Sequence, residues 1–175
     1  MNPCVKSTWA KVGRTPVVPF RNRHHRKVSA LGALTLAADG RIDLLIDWHP
    51  DSYVRAEQAA DFVTRLLRQM PDGPLTLIWD KLQAHRSKRV KSLLAEHPRL
   101  TIIYLPSYAP DLNPVETLWC LTKYHRMANH TLDDLNDLLH EAQRHVRTVA
   151  DDQQLLNACF TSAGLELAQT QSRAQ

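Results

Sequence analysis

Asp80 closes the apolar run LTLIWD (residues 75–80), and Glu116 stands in LNPVETLW (112–119), separated from it by 36 positions, 80 to 116. In open α/β sheets ligands gather at the carboxyl ends of strands, and a carboxylate placed there is costly unless it binds something. If the runs ending at Asp80 and at Leu105–Pro106 are adjacent parallel strands, their ends lie side by side and the two carboxylates can converge. Converging carboxylates hold hard divalent cations such as Mg²⁺ through oxygen. Two such ions, about 3.5–4 Å apart, can activate a nucleophile and stabilise the leaving oxygen in phosphodiester cleavage.

Each carboxylate also has a plainer explanation. Asn113-Pro114-Val115-Glu116 is a helix entrance: Asn is a favoured N-cap, Pro suits the first helical position, and Glu at the third can reach back to the cap's N–H. Asp80 could cap a helix or pair with Arg86 or Lys88. The residues leave both explanations open.

The surrounding pattern shows what must position these groups. KVSALGALTLA (27–37) and RIDLLIDW (41–48) are strand-like, and a turn through Ala38, Asp39 and Gly40 makes them an antiparallel hairpin. Residues 54–70 place Val54, Ala59, Phe62, Val63, Leu66 and Leu67 on one helical face. LTLIWD is a short buried strand, SKRVKSLLAEH (87–97) a helix, LTIIYLP (100–106) another strand. A helix follows from about Pro114 to Met127. Leucines and valines from Leu132 to Val149 mark a long amphipathic helix with Thr131 as its cap, and a last helix runs from Asp152 to about Ala168. The order predicts an α/β domain with a mixed sheet. Residues 1–26 read as an irregular arm and 151–175 as a C-terminal helix with a frayed tail.

Composition narrows the class. The chain has 175 residues, 43% of them apolar, enough for one domain with a core. Runs such as LGALTLAA are too short to span a bilayer, and no secretory pattern opens the chain. Cys4, Cys120 and Cys159 are far apart and odd in number, which supports neither a disulfide framework nor a zinc ribbon and points to a reducing, cytoplasmic setting. The net charge of +4 permits a polyanionic partner without demanding one.

The stretches LIWDKLQAHRS and YLPSYAPDLNPVETLWCLTKYHRMAN, with TWAKVGRTPV and KVSALGALTLAADGR upstream, resemble the DDE domain of IS630/Tc1-mariner-type transposases, specifically the bacterial IS630 group. The resemblance covers residues 7–130 and assigns the domain to 7–150. It implies an RNase H-like fold, association with the bacterial nucleoid, and Mg²⁺-dependent cleavage and strand transfer of transposon-end and target DNA, with Mn²⁺ as another usable ion. Asp80 matches the second carboxylate of the family's triad and Glu116 the third. His85 matches the family's histidine and is a candidate to orient the site or contact DNA, or is a plain loop residue. Asn113 is first a cap, its polar side chain a secondary element of the site.

One part of the pattern has no counterpart. The family's first Asp ends a central strand upstream of the Thr-Trp that is Thr8–Trp9 here, so the sequence leads us to expect a domain lacking that strand, with the hairpin poorly attached to the 75–106 strands and catalysis impaired in the isolated chain. A homo-oligomer or a complementing N-terminal transposase fragment is the expected protein partner. Asp47, His49 and Asp51 alternate and could face one side as ligands, but solvated hairpin residues are the better interpretation.

Arg21, Arg23, Arg26 and Lys27, then Arg86, Lys88 and Arg89, and Lys123 two turns beyond Glu116, are candidate phosphate contacts or else solvated faces. Leu118 and Trp119 are core candidates. Two rivals stand beside the transposase reading: a non-catalytic DNA-binding or oligomerising remnant, and a glycosidase-like carboxylate pair. The basic clusters and the want of an aromatic-rich cleft count against the second.

Overall fold

The structure is a computed structural model that describes residues 6–7, 9–15, 17, 27–129 and 134–167, with the side chains at positions 125 and 126 left aside. Strand β1 (Val28–Leu36) turns back through Gly40, at φ 86°, into β2 (Ile42–Pro50). The pair is antiparallel, with Gly32 opposite Ile46 and Leu34 opposite Leu44. Helix α1 (Ala56–Gln69) follows, then β3 (Leu75–Trp79), a 3₁₀ turn (Gln83–Arg86), α2 (Lys88–Ala95) and β4 (Leu100–Tyr104). β3 and β4 are parallel and in register, Leu75 to Leu100 through Trp79 to Tyr104.

The predicted elements are all present, with ends shifted by a few residues. Helix α3 (Pro114–Cys120) is regular for two turns and then widens into a π-helical segment (Leu121–Arg126). There the buried Thr122 hydroxyl donates to the Leu118 carbonyl at 2.9 Å. Helix α4 (Leu135–Ala150) starts later than expected. Its cap is Asp134, whose carboxylate accepts the N–H groups of Asn136 and Asp137 at 2.6 and 2.9 Å; Thr131 lies outside the described residues. Helix α5 (Gln153–Ser162) is capped by Asp152, and the tail beyond 167 lies outside the description.

Strand directions are those of a mixed α/β fold, but they are divided between two two-stranded sheets. Each sheet has its own core. Ile42, Leu118, Val149, Leu156, Cys159 and Phe160 close the first, between the hairpin and α3, α4 and α5. Ala59, Ala60, Val63, Leu67, Trp79 and Val90 close the second, where α1 and α2 cover one face of β3–β4. The opposite face of that sheet leaves Ile78 and Ile103 half exposed, although parallel strands are ordinarily covered on both sides.

Long polar tethers hold the pieces. Gln153 of α5 behaves as a surrogate strand residue: its Oε1 accepts the Ile42 N–H at 3.2 Å and its Nε2 donates to the Ile42 carbonyl at 2.7 Å. Arg99, just before β4, donates to the carbonyls of Leu67 and Pro71 at 2.8 and 2.7 Å. It thereby satisfies the open C-terminal end of α1. Arg65 of α1 pairs with Asp47 and donates to the Ile46 carbonyl at 3.0 Å, linking the helix of the second core to the hairpin of the first.

Candidate functional site

β3 ends at Trp79 because the next residue, Asp80, turns the chain. Asp80 Oδ1 accepts the Leu82 N–H at 2.9 Å, an Asx turn that leads into the 3₁₀ segment. The segment carries His85 back onto the strand end, where its imidazole stacks on the Trp79 indole with centroids 4.0 Å apart and planes 4° from parallel. From there His85 Nδ1 meets Asp80 Oδ1 at 2.8 Å. His85 is buried, whereas the Asp80 side chain keeps 49% of its exposure. The hydrogen bond from His85 holds the Asp80 carboxyl below its usual range; partial burial opposes this, and the Leu82 N–H adds to the lowering. Asp80 is therefore an anion at neutral pH. Its contacts among the described residues fall on Oδ1 and the main chain, so Oδ2 remains available.

The expected alternatives for Asp80 are not made: it caps no α-helix, and neither Arg86 nor Lys88 pairs with it among the described residues. In the residues beside it, Trp79 Nε1 and His85 Nε2 are buried with no hydrogen-bond partner among the described residues. With Nε2 unpartnered, the consistent tautomer carries its proton on Nδ1 and donates to Asp80.

Glu116 answers to different constraints. The Leu105 N–H donates to the Trp79 carbonyl at 2.9 Å, so the carboxyl ends of β3 and β4 lie together. The chain then passes through a turn and a short 3₁₀ helix (Pro110–Leu112) to Asn113. Asn113 caps α3, its Oδ1 accepting the Val115 N–H at 3.2 Å. The reciprocal half of the expected capping box is absent, because the Asn113 N–H donates to the Pro110 carbonyl at 2.9 Å. The Glu116 carboxylate makes no hydrogen bond or ion pair with any described residue. It is held through its helix instead: a Cβ built on Gly32 would lie 2.9 Å from Trp119 Cζ2 and 3.2 Å from Val115 Cγ1, so α3 sits directly on bare β1 backbone. Asp80 thus follows a strand of the second core, and Glu116 stands on a helix of the first.

The loop before Glu116 contains a residue the sequence did not single out. Tyr108 has φ 58° and is 102% exposed. The left-handed conformation costs an L-residue about 1–2 kcal/mol. Nothing in the residue types signals it, since Tyr is not a turn former of that kind.

The other predicted residues fare unevenly. Arg21, Arg23 and Arg26 lie outside the described residues. Lys27 Nζ sits 2.6 Å from the Tyr53 ring centre, a cation–π contact that fixes the start of β1. Arg86, Lys88, Arg89 and Lys123 are exposed, and Arg89 lies 3.9 Å from Asp61. Leu118 is fully buried, and Trp119 packs against the first core, as expected. Asp47, His49 and Asp51 do not form a ligand trio: Arg65 holds Asp47, and no group of three His, Cys, Asp or Glu side chains suited to a metal occurs among the described residues. No described helix is long and apolar enough to cross a membrane.

The family model described as "DDE superfamily endonuclease" matches residues 1–139. The "Insertion element IS630 uncharacterized 39 kDa protein" of Shigella sonnei is 34% identical over 156 residues, 86% of this chain and 42% of that protein. The uncharacterized protein y4pE/y4sA of Sinorhizobium fredii is 26% identical over 88 residues, half of this chain and 62% of that one. Among solved structures, the Mos1 transposase paired-end complex with left transposon end aligns with TM-score 0.64 at 15% identity, over 93% of this chain and 48% of that one. The Mos1 strand transfer complex aligns at 0.55 and 14%, over 95% and 52%. These two show the fold, an RNase H-like α/β architecture. The chain spans less than two thirds of the length of the relatives it matches.

The fold is thus that of the DDE-type domains. The chain belongs to the DDE superfamily endonuclease family, as a DDE domain of the IS630/Tc1-mariner transposase type.

Proposed function

We propose that this chain provides part of the catalytic domain that cuts DNA at transposon ends and joins the freed 3′-hydroxyl to target DNA. Asp80 and Glu116 are the catalytic carboxylates. The observation that carries the assignment is the state of Asp80: anionic, fixed at Oδ1 by a buried histidine, and open at Oδ2. The donor set suits a hard divalent cation, Mg²⁺ or Mn²⁺, because the open atoms are carboxylate oxygens and Glu116 is committed to no capping bond. When bound, such an ion supplies positive charge to the phosphate oxygens as the phosphodiester is attacked.

The chain's own residues do the positioning. His85 fixes the Asp80 rotamer; Asn113 fixes the first turn of α3 and so the direction in which Glu116 leaves it. Arg86, Lys88, Arg89 and Lys123 are phosphate contacts, joined by Lys27 and by Arg21, Arg23 and Arg26 of the preceding stretch. Asp80 and Glu116 stand for two carboxylates of the family's three-carboxylate pattern, and the protein partner on DNA is a second copy of the chain or a complementing N-terminal transposase segment.

The test is cleavage of a plasmid carrying terminal inverted repeats, with Mg²⁺ or Mn²⁺, by the chain together with that segment. Asp80→Asn and Glu116→Gln should each lower the rate at least roughly a hundredfold. Salt-dependent DNA binding that survives both substitutions, without cleavage by any form, would favour the non-catalytic DNA-binding reading instead.

A further inference from the structure

Among the described non-glycine residues, positive φ occurs at Asp51, Tyr108 and Asn129. Asp and Asn adopt that conformation readily, and an aromatic residue does not. Tyr108 also spends its ring entirely on solvent and its hydroxyl on no described partner, so no contact with a described residue accounts for an aromatic there. Glycine would serve the turn better. An aromatic side chain kept where the turn disfavours it, and held out from the body of the protein, is explained by a planar partner from outside. The position narrows that partner. Tyr108 lies in the loop leaving β4, whose end pairs with the end of β3 next to Asp80. The companion loop after β3 exposes Lys81 and Arg86, cations suited to a phosphate backbone, and the apolar side chain of Leu82.

The geometry points to Tyr108 as a stacking platform for an unpaired nucleobase of the DNA strand lying across the Asp80 end of the β3–β4 sheet. This rests on the DNA-processing function proposed above. A base inside a duplex has both faces covered, whereas one at a melted or cleaved end offers a face to an aromatic ring. Stacking is indifferent to base identity, so Tyr108 selects for unpaired structure and not for sequence.

The test uses the full chain with two fluorescent duplexes, one blunt and one with a short single-stranded overhang containing 2-aminopurine. Wild type is expected to prefer the overhang and to quench its fluorescence. Tyr108→Phe should keep both properties. Tyr108→Ala and Tyr108→Gly should bind the overhang roughly 5- to 150-fold more weakly, with blunt-duplex binding unchanged. Tyr108→Gly is decisive, because glycine accepts φ 58° and its thermal midpoint should not fall. If Tyr108→Gly binds the overhang like wild type, the stacking role is overturned while the DNA-processing reading stands. If the wild type binds neither duplex, both fail.

Discussion

His85 and Asp80 are joined by a 2.8 Å contact between Nδ1 and Oδ1, made from an imidazole that is buried against Trp79. Stacking fixes the ring plane, and the ring plane fixes where the donor points. The Asp80 carboxyl is depressed chiefly by this bond, which gives a signed prediction. A lowered folded-state value means that the contact's stabilisation is present above the ordinary Asp pKa of 3.8 and is lost as pH falls through the lowered value. His85→Phe keeps an aromatic ring on Trp79 but removes the donor. It should move the Asp80 titration upward, and its stability deficit at neutral pH should vanish in acid. His85→Asn, which carries an N–H near the Nδ1 position, should restore the lower value. Carbon-13 NMR of the Asp80 carboxyl reads both, and an unmoved titration in His85→Phe would remove His85 as the cause.

Gly32 makes a second prediction because α3 rests on it. A methyl group at that position meets Trp119 at 2.9 Å, shorter than real Cβ contacts allow, and Trp119 is edged by Trp48 with centroids 6.5 Å apart. Gly32→Ala should therefore destabilise the protein by about 1–3 kcal/mol in urea denaturation, the usual range for overpacking. Trp119→Leu in the same chain should recover part of the loss. A fully stable Gly32→Ala would mean that α3 does not sit on β1 as described.

The division into two cores makes Arg65 a third test. Its pairing with Asp47 and the Ile46 carbonyl joins α1 to the hairpin, and both side chains are partly buried. A double-mutant cycle with Arg65→Met and Asp47→Asn should give a coupling of about 1 kcal/mol, more than a wholly exposed pair supplies. Additive effects would show that the pair does not join the cores energetically.

How much of this was legible in the sequence depends on the range of the interaction. The hairpin, the two buried strands and the amphipathic helices could be read because residue alternation and helical spacing are local. The strand end at Asp80 and the cap at Asn113 are local too. The Gln153–Ile42 and Arg99–Leu67 tethers are not, since they join positions 111 and 32 residues apart with no patterned signal. The expected cap at Thr131 gives way to Asp134 because helical periodicity does not say which residue begins the first turn. Nor does any residue type announce the π widening after Cys120 or the stacking of His85 on Trp79. Glu116 was the ambiguous case for a physical reason: the same four residues favour a capping box and a positioned carboxylate, and the Pro110 carbonyl, by taking the Asn113 N–H, decides only against the capping box.

That choice yields the last prediction. Because the Asn113 N–H is satisfied by Pro110, the Glu116 carboxylate adds no capping bond, although its charge near the helix N-terminus still interacts with the dipole. Glu116→Gln should then change stability by no more than about 0.5 kcal/mol, the range of unremarkable surface substitutions. Asn113→Ala removes the bond to the Val115 N–H and should cost about 1 kcal/mol. If Glu116 serves the helix, the two variants will be destabilised alike. If it serves the site, Glu116→Gln will melt with the wild type while cleavage by the complemented protein is lost, and Asn113→Ala will lose stability and some activity together. Thermal denaturation beside the cleavage assay separates these outcomes, and only the second pattern is compatible with a carboxylate carried, but not used, by its own helix.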